Sequence, residues 1–219
     1  MFGVSDRRKI RKQIEECKLT HAGDVPYYEL AERYLDEQWE NYIQRYLPLL
    51  DLSITLELAC GHGRNSNKLR QYAHELHLVD VNESCIDVCR RRFGVTDGQC
   101  RFFYHVNDGK SLRDIKSGSI SAIFTWDSMV HFDKRVCKLY IKEFARVLRP
   151  NGRGFVHHSN YGHVAPGEDW MKNPGWRSNM TDELFAKYSA ACGLEVLSQQ
   201  VIDWSAKEMD CISILQKPY

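Results

Sequence analysis

At 219 residues the chain is long enough to bury the core of one ordinary domain. Its 30 basic and 29 acidic side chains leave a formal net charge of +1, which gives no bulk electrostatic case for nucleic acid or an anionic membrane. No apolar run reaches membrane-spanning length and the N-terminus lacks the apolar stretch of a secretory signal, while the eight cysteines suggest no secreted disulfide framework, so reduced thiols and a cytoplasmic location are expected.

In chain order, residues 6–19 are basic and read as a helix. Asp24-Val25-Pro26 opens a long amphipathic segment, about Tyr27 to Leu50, that is rich in aromatics and broken near Pro48. A strand from Ile54 to Ala59 runs into a turn with Gly61 and Gly63, and a polar helix over about 65–72 follows. A second strand, His74 to Val79, precedes a helix capped by Asn82 and stopped at Phe93-Gly94. The third strand is Cys100 to Val106 and delivers Asn107-Asp108-Gly109; the fourth is Ile120 to Trp126. Asp133 caps a helix running to Leu148, and a fifth strand covers Gly154 to His158. Thr181 opens a helix ending at Cys192-Gly193, and two strands, Leu194 to Asp203 and Asp210 to Gln216, close the chain.

Strands separated by single helices imply an α/β fold with a Rossmann-like parallel sheet covered on both faces. The last two strands have only a short link between them and should pair antiparallel, giving a seven-stranded, mostly parallel sheet with one antiparallel strand. Residues 1–50 are expected to form a helical N-terminal extension, a candidate lid, ahead of a globular unit over 51–219. Glycines at a strand-to-helix turn permit positive φ and a close backbone approach to a ligand. The acid Asp80 ends the second strand seventeen positions after Gly63, where a carboxylate can meet ribose hydroxyls. Together they suit an adenosine-containing cofactor.

This motif order resembles the class I S-adenosylmethionine-dependent methyltransferases, over roughly residues 25–217. The resemblance rests on Glu57-Leu-Ala-Cys-Gly61-His-Gly63, Asp80 and Asn107-Asp108-Gly109 in register with the strands. It implies S-adenosylmethionine as cofactor. Glu57 would orient the turn and the methionine ammonium, and the backbone from Ala59 and Cys60 to Gly61 and Gly63 would lie against the cofactor. Asp80, with Val81 beside it, would take the ribose; Asn107, Asp108 and Gly109 would hold adenine, with the Asp108 carboxylate on the exocyclic amine. Trp126 and the residues after it would line the methyl. The strings Trp126 to Asp133 and Phe155 to Asn160 further resemble a bacterial subgroup associated with sugar or glycan modification. Family members often carry a third glycine where Ala59 stands. A dinucleotide fingerprint would want glycine at Ser66, which disfavours an NAD(P)-dependent oxidoreductase.

A sugar hydroxyl is a poor nucleophile at neutral pH and needs a base. His131 is the first candidate. His158 is the second, chosen over His157 because strand alternation lets only one face the cleft and His158 lies nearer the strand end. Asp127 would orient such a histidine or bind the acceptor. Asp127, His131, His158 and Asn160 also offer ligand types for a divalent metal, although no spacing demands one, and no metal is assigned. The segment 162–180 would overhang the cleft, where Trp170, Trp176 and Arg177 suit a sugar face with an anionic group. Tyr28 and Trp39 are candidate lid residues at the acceptor side, against the alternative that aromatics at helical spacing are core. The basic run from Arg7 to Lys12 reads as a solvated helix face. The expected partner is therefore a small-molecule or glycan acceptor, with no nucleic acid and no membrane span, and the oligomeric state is open. N-methylation of an amine, protein or RNA, and a non-catalytic cofactor-binding module, stand as alternatives.

Overall fold

The computed structural model describes residues 4–21, 25–165 and 176–219. Its seven strands form one sheet in the order β3-β2-β1-β4-β5-β7-β6. They are β1 (Ile54–Leu58), β2 (Glu75–Asp80), β3 (Arg101–Val106), β4 (Ile120–Met129), β5 (Leu148–Ser159), β6 (Glu195–Trp204) and β7 (Ala206–Gln216). The first five run parallel, and β7 is antiparallel to both neighbours, β5 and β6. The expected mixed sheet is therefore present. Its last hairpin is tighter than expected, turning through Ser205 in the left-handed region (φ +57°).

The helices are α1 (Val4–His21), α2 (Val25–Arg33), α3 (Leu35–Gln38), α4 (Arg64–Leu69), α5 (Glu83–Phe93), α6 (Lys134–Val147) and α7 (Asp182–Ala191). After α3 the backbone passes through a wide π-type turn, Trp39–Ile43, and then a tight 3₁₀ stretch, Gln44–Leu49, that contains Pro48. Asp133 and Thr181 cap α6 and α7 by accepting from the amides of Arg135 and Leu184. Asn82 occupies the cap position of α5, but its side chain does not cap; its backbone N–H donates to Asp80 Oδ1 instead.

Side chains alternate across the sheet, so each face carries its own core. On one face Leu76, Leu78, Phe124 and Phe155 pack with Trp39, Ile43 and Tyr46 and with Ile86 and Phe93 of α5. On the other, Leu56, Leu58, Ile123 and Val156 pack under α6 and α7, joined by Ile10 of α1. All eight cysteines are free. Among the described residues no helix is long and apolar enough to cross a membrane. The strand order reverses between β1 and β4, which opens a crevice beyond their carboxyl ends.

Candidate active site

At the end of β1 the turn takes three left-handed residues, Ala59 (φ +56°), Gly61 (φ +53°) and Gly63 (φ +79°). The glycines are doubly required. A Cβ on Gly61 would lie 2.6 Å from Tyr28 Cε1, and one on Gly63 would lie 2.6 Å from Phe93 Cε2. Ala59 holds a conformation that glycine adopts more readily, so the missing third glycine leaves local strain. Glu57 is buried beneath this turn, where its carboxylate accepts from Ser66 Oγ and from Asn65 Nδ2 (3.2 Å) and so ties β1 to the start of α4. Burial pushes its pKa up to about 7, against the opposing pull of Ser66 and Asn65. Glu57 does not itself line the cavity, whereas Asn65 does, and the buried Asn65 Oδ1 has no hydrogen-bond partner.

Asp80 accepts from the Gly61 and Asn82 amides, at 3.0 and 2.9 Å, which fixes both of its oxygens beside the turn. Asn107 is pinned by its backbone N–H to Asp80 O (2.9 Å) and by Nδ2 to Tyr140 OH (2.9 Å). Asn107 and Gly109 line the cavity, but Asp108 does not. Its carboxylate, expected on an adenine amine, turns outward to Ser111 Oγ, the Lys110 amide and Arg113 and away from the cavity.

These elements enclose a cavity of about 940 Å³, counting the part that opens to solvent. Ala59, Cys60, Gly61, Asp80, Val81 and Trp126 line it, as the sequence anticipates. One wall comes from the N-terminal extension expected as a candidate lid, through residues that the sequence did not single out. Helix α1 lies over the cavity and contributes Gln13, Ile14 and Cys17. A Cβ on Gly109 would meet Ile14 Cγ2 at 2.5 Å, Gln13 Nε2 donates to the His131 carbonyl (2.9 Å), and Asp6 pairs with Arg135 (2.9 Å). Tyr28 covers the glycine turn, stacked on His62 with ring centroids 3.7 Å apart. Trp39, by contrast, is buried against Phe124 and belongs to the core, not the cavity.

Asp127 sits in a bulge of β4, where the register with β5 breaks between Thr125 and Met129, and its φ is +54°. The bulge presents Asp127, Ser128 and, just beyond, His131 to the cavity. Asp127 Oδ2 pairs with Arg64 (2.9 Å), and its Oδ1 lies 3.9 Å from Arg177. Burial raises the Asp127 pKa, but Arg64 and then Arg177 outweigh it and hold the carboxyl below its ordinary value. His131 Nδ1 lies 3.0 Å from the Trp176 carbonyl, which can only accept, so Nδ1 carries the proton. In the neutral ring Nε2 is then the basic nitrogen.

The other histidine departs from expectation. His158 is fully buried on the α7 face, stacked on Phe185 at 3.9 Å, with its nitrogens bonded to Ser159 O and Ser213 Oγ. Burial lowers its pKa to about 4. It does not reach the cavity, because alternation along β5 turns it under the helix. Arg177 is also buried, bidentate to Asp210 at 2.8 and 2.9 Å, and so is not an acceptor-binding group in the cavity. Trp176 meets the site through its backbone carbonyl, and Trp170 lies outside the described residues. The four side chains weighed as metal ligands are not brought together, since Asn160 is bonded to Glu208 O and the Asp182 amide.

Residues 55–152 match the model of a family described as "Methyltransferase domain". No curated protein matches the sequence. Among solved structures, the chain is similar to an S-adenosylmethionine-dependent methyltransferase from Clostridium acetobutylicum (TM-score 0.66, 16% identity, 88% of this chain and 99% of that one). It is also similar to the PH0226 protein from Pyrococcus horikoshii (TM-score 0.64, 18% identity, 85% and 91% covered). A third similarity is to a chain of the Haloferax volcanii complex between the Trm112 methyltransferase activator and a methyltransferase (TM-score 0.61, 14% identity, 85% and 92% covered).

Proposed function

We propose that the chain is a class I methyltransferase that uses S-adenosylmethionine and that it methylates a hydroxyl of a small polar acceptor, a sugar or sugar nucleotide being the leading class, with His131 as general base. The observation that carries the base assignment is the His131 Nδ1–H bond to the Trp176 carbonyl, which makes Nε2 the basic nitrogen of a side chain that lines the cavity.

The cavity suits the cofactor. The orphaned Asn65 Oδ1 can accept from the methionine ammonium, and the Asp80 carboxylate, held beside the turn on the cavity wall, can accept from ribose hydroxyls. Ile14, Val81, Phe132 and Val136 offer apolar contact to the adenine ring, between the backbones of Asn107 and Gly109 and the overlying α1. When bound, the cofactor supplies an electrophilic methyl on sulfur, and in-line positioning of the acceptor is the chain's main contribution, with effective molarities of ~10⁵ M or more attainable. His131 accepts the hydroxyl proton at Nε2, and the imidazolium that results is stabilised by the Trp176 carbonyl dipole at Nδ1–H. Asp127 and Ser128 orient the acceptor, and α1 acts as the lid.

N-methylation of a small amine is the second reading, favoured by the ionised Asp127 carboxylate on the cavity wall. An assay of labelled methyl transfer to sugar nucleotides, free sugars and small amines separates the two. We expect an ether product, and turnover reduced by about 10²–10⁴-fold in His131→Ala with S-adenosylhomocysteine binding retained. Methylation confined to nitrogen acceptors would retire the hydroxyl reading, and undiminished turnover in His131→Ala would retire the base.

A further inference from the structure

The bulge at Asp127 is a residue in the left-handed region inside a strand, a costly conformation that surrounding groups must hold. Three buried side chains from distant parts of the chain do so. The backbone N–H of Asp127, pulled off the β4–β5 ladder, donates to His157 Nδ1 at 3.1 Å. Because Nδ1 accepts, the proton of the neutral ring is on Nε2. That nitrogen stands 3.2 Å from Asp210 Oδ2, without the alignment of a linear hydrogen bond. Asp210 is gripped by Arg177, and Arg177 returns to within 3.9 Å of the Asp127 carboxylate. The path is a closed ring. His157 and Asp210 are both fully buried, and His157 is further clamped by Trp126, whose ring lies 4.2 Å away.

We propose that His157, Asp210 and Arg177 form a positioning ring that fixes the Asp127 carboxylate on the methyl side of the cavity. None of the three touches the cavity; each acts through Asp127. Arg64 closes the other carboxylate oxygen, so the two acids and two guanidinium groups balance in charge while Asp127 is the acid among them that lines the cavity. His157→Phe keeps a ring against Trp126 but removes the acceptor for the Asp127 amide. His157→Asn keeps a side chain that both accepts and donates, so it serves as the rescue.

The proposal rests on the reading that the turn after β4 lines the methyl, but not on which acceptor is used, so its test needs no acceptor. Sinefungin carries an amine where S-adenosylmethionine carries the methyl-bearing sulfur, whereas S-adenosylhomocysteine has no charge there. Calorimetric affinities of these two ligands for the full chain therefore report whether a carboxylate is aimed at the methyl position. Wild type should prefer sinefungin by about tenfold, a preference worth ~1.4 kcal/mol. His157→Phe should lose that preference while its affinity for S-adenosylhomocysteine is unchanged, and His157→Asn should regain most of it. A wild-type protein that binds both alike would overturn the placement of Asp127 at the methyl. A His157→Phe variant that keeps the preference, or loses both affinities together, would overturn the positioning role. Either of these results leaves the hydroxyl-acceptor reading to be judged by its own assay.

Discussion

Glu57 shows how one buried acid couples the cofactor turn to pH. Its folded pKa of about 7 lies above the ~4.3 of an unfolded glutamate. Between these values the folded state holds a proton that the unfolded state has released, so stability falls as pH rises through that window. The full effect is roughly 4 kcal/mol. His158 pulls the other way, since its folded pKa of about 4 makes stability fall as pH drops below the ~6.5 of a free imidazole. The difference between wild type and Glu57→Gln isolates the carboxyl. Denaturant midpoints from pH 4.5 to 8 should show wild type losing ground steadily to the variant, and a constant difference would refute the burial argument. Several single-residue placements were legible in the sequence, among them Asp80 and Gly61 on the cavity wall, because they depend on spacing along the chain; Gly63, expected beside them, faces Phe93 instead. Others were not. Arg177 reads as an exposed anion binder until Asp210, 33 positions later, folds beneath it. Asp108 reads as an adenine ligand until Arg113 and Ser111 draw it outward.

At the level of elements, glycines and caps marked many boundaries and each expected strand is present, but β5 begins at Leu148, ahead of the expected Gly154, and β4 runs past Trp126 to Met129. What escaped was irregularity inside an element. The bulge in β4 has no local signature, because it is held by His157 from the neighbouring strand. Helix α1 was legible as a helix, but the face it turns to the cavity was not. Its run of basic residues suggested a solvated face, and Arg7, Arg8, Lys9, Arg11 and Lys12 are indeed exposed. Yet Ile10, Gln13, Ile14 and Cys17 recur at helical spacing, and this stripe was the available signal that the inner face meets something. If α1 is the lid, ligand binding should quiet it. Amide hydrogen exchange with and without S-adenosylhomocysteine should slow by about tenfold or more over residues 4–21 and little over α7. Equal protection of both helices, or none in α1, would contradict the lid.

For the molecule as a whole, the sheet order decides where chemistry can occur. Reversal between β1 and β4 opens one crevice, and the turn after β1, the acid after β2, the loop after β3 and the bulge of β4 all deliver residues to it. The overall topology was legible because alternation of strand and helix leaves few arrangements of a parallel sheet. The composition of the acceptor half was not, because Trp39, His158 and Arg177 are buried by partners remote in sequence. What remains in that half is compact: His131, Asp127, Ser128 and Arg64 under α1. The most direct measurement is calorimetric titration of wild type and Asp80→Ala with S-adenosylhomocysteine. We predict binding in the micromolar range for wild type and at least about tenfold weaker binding for the variant, the cost expected when the bonds to two ribose hydroxyls and the Gly61 amide are lost. Equal affinity of the two proteins, or no binding by wild type, would contradict the assignment of this cavity as the cofactor site.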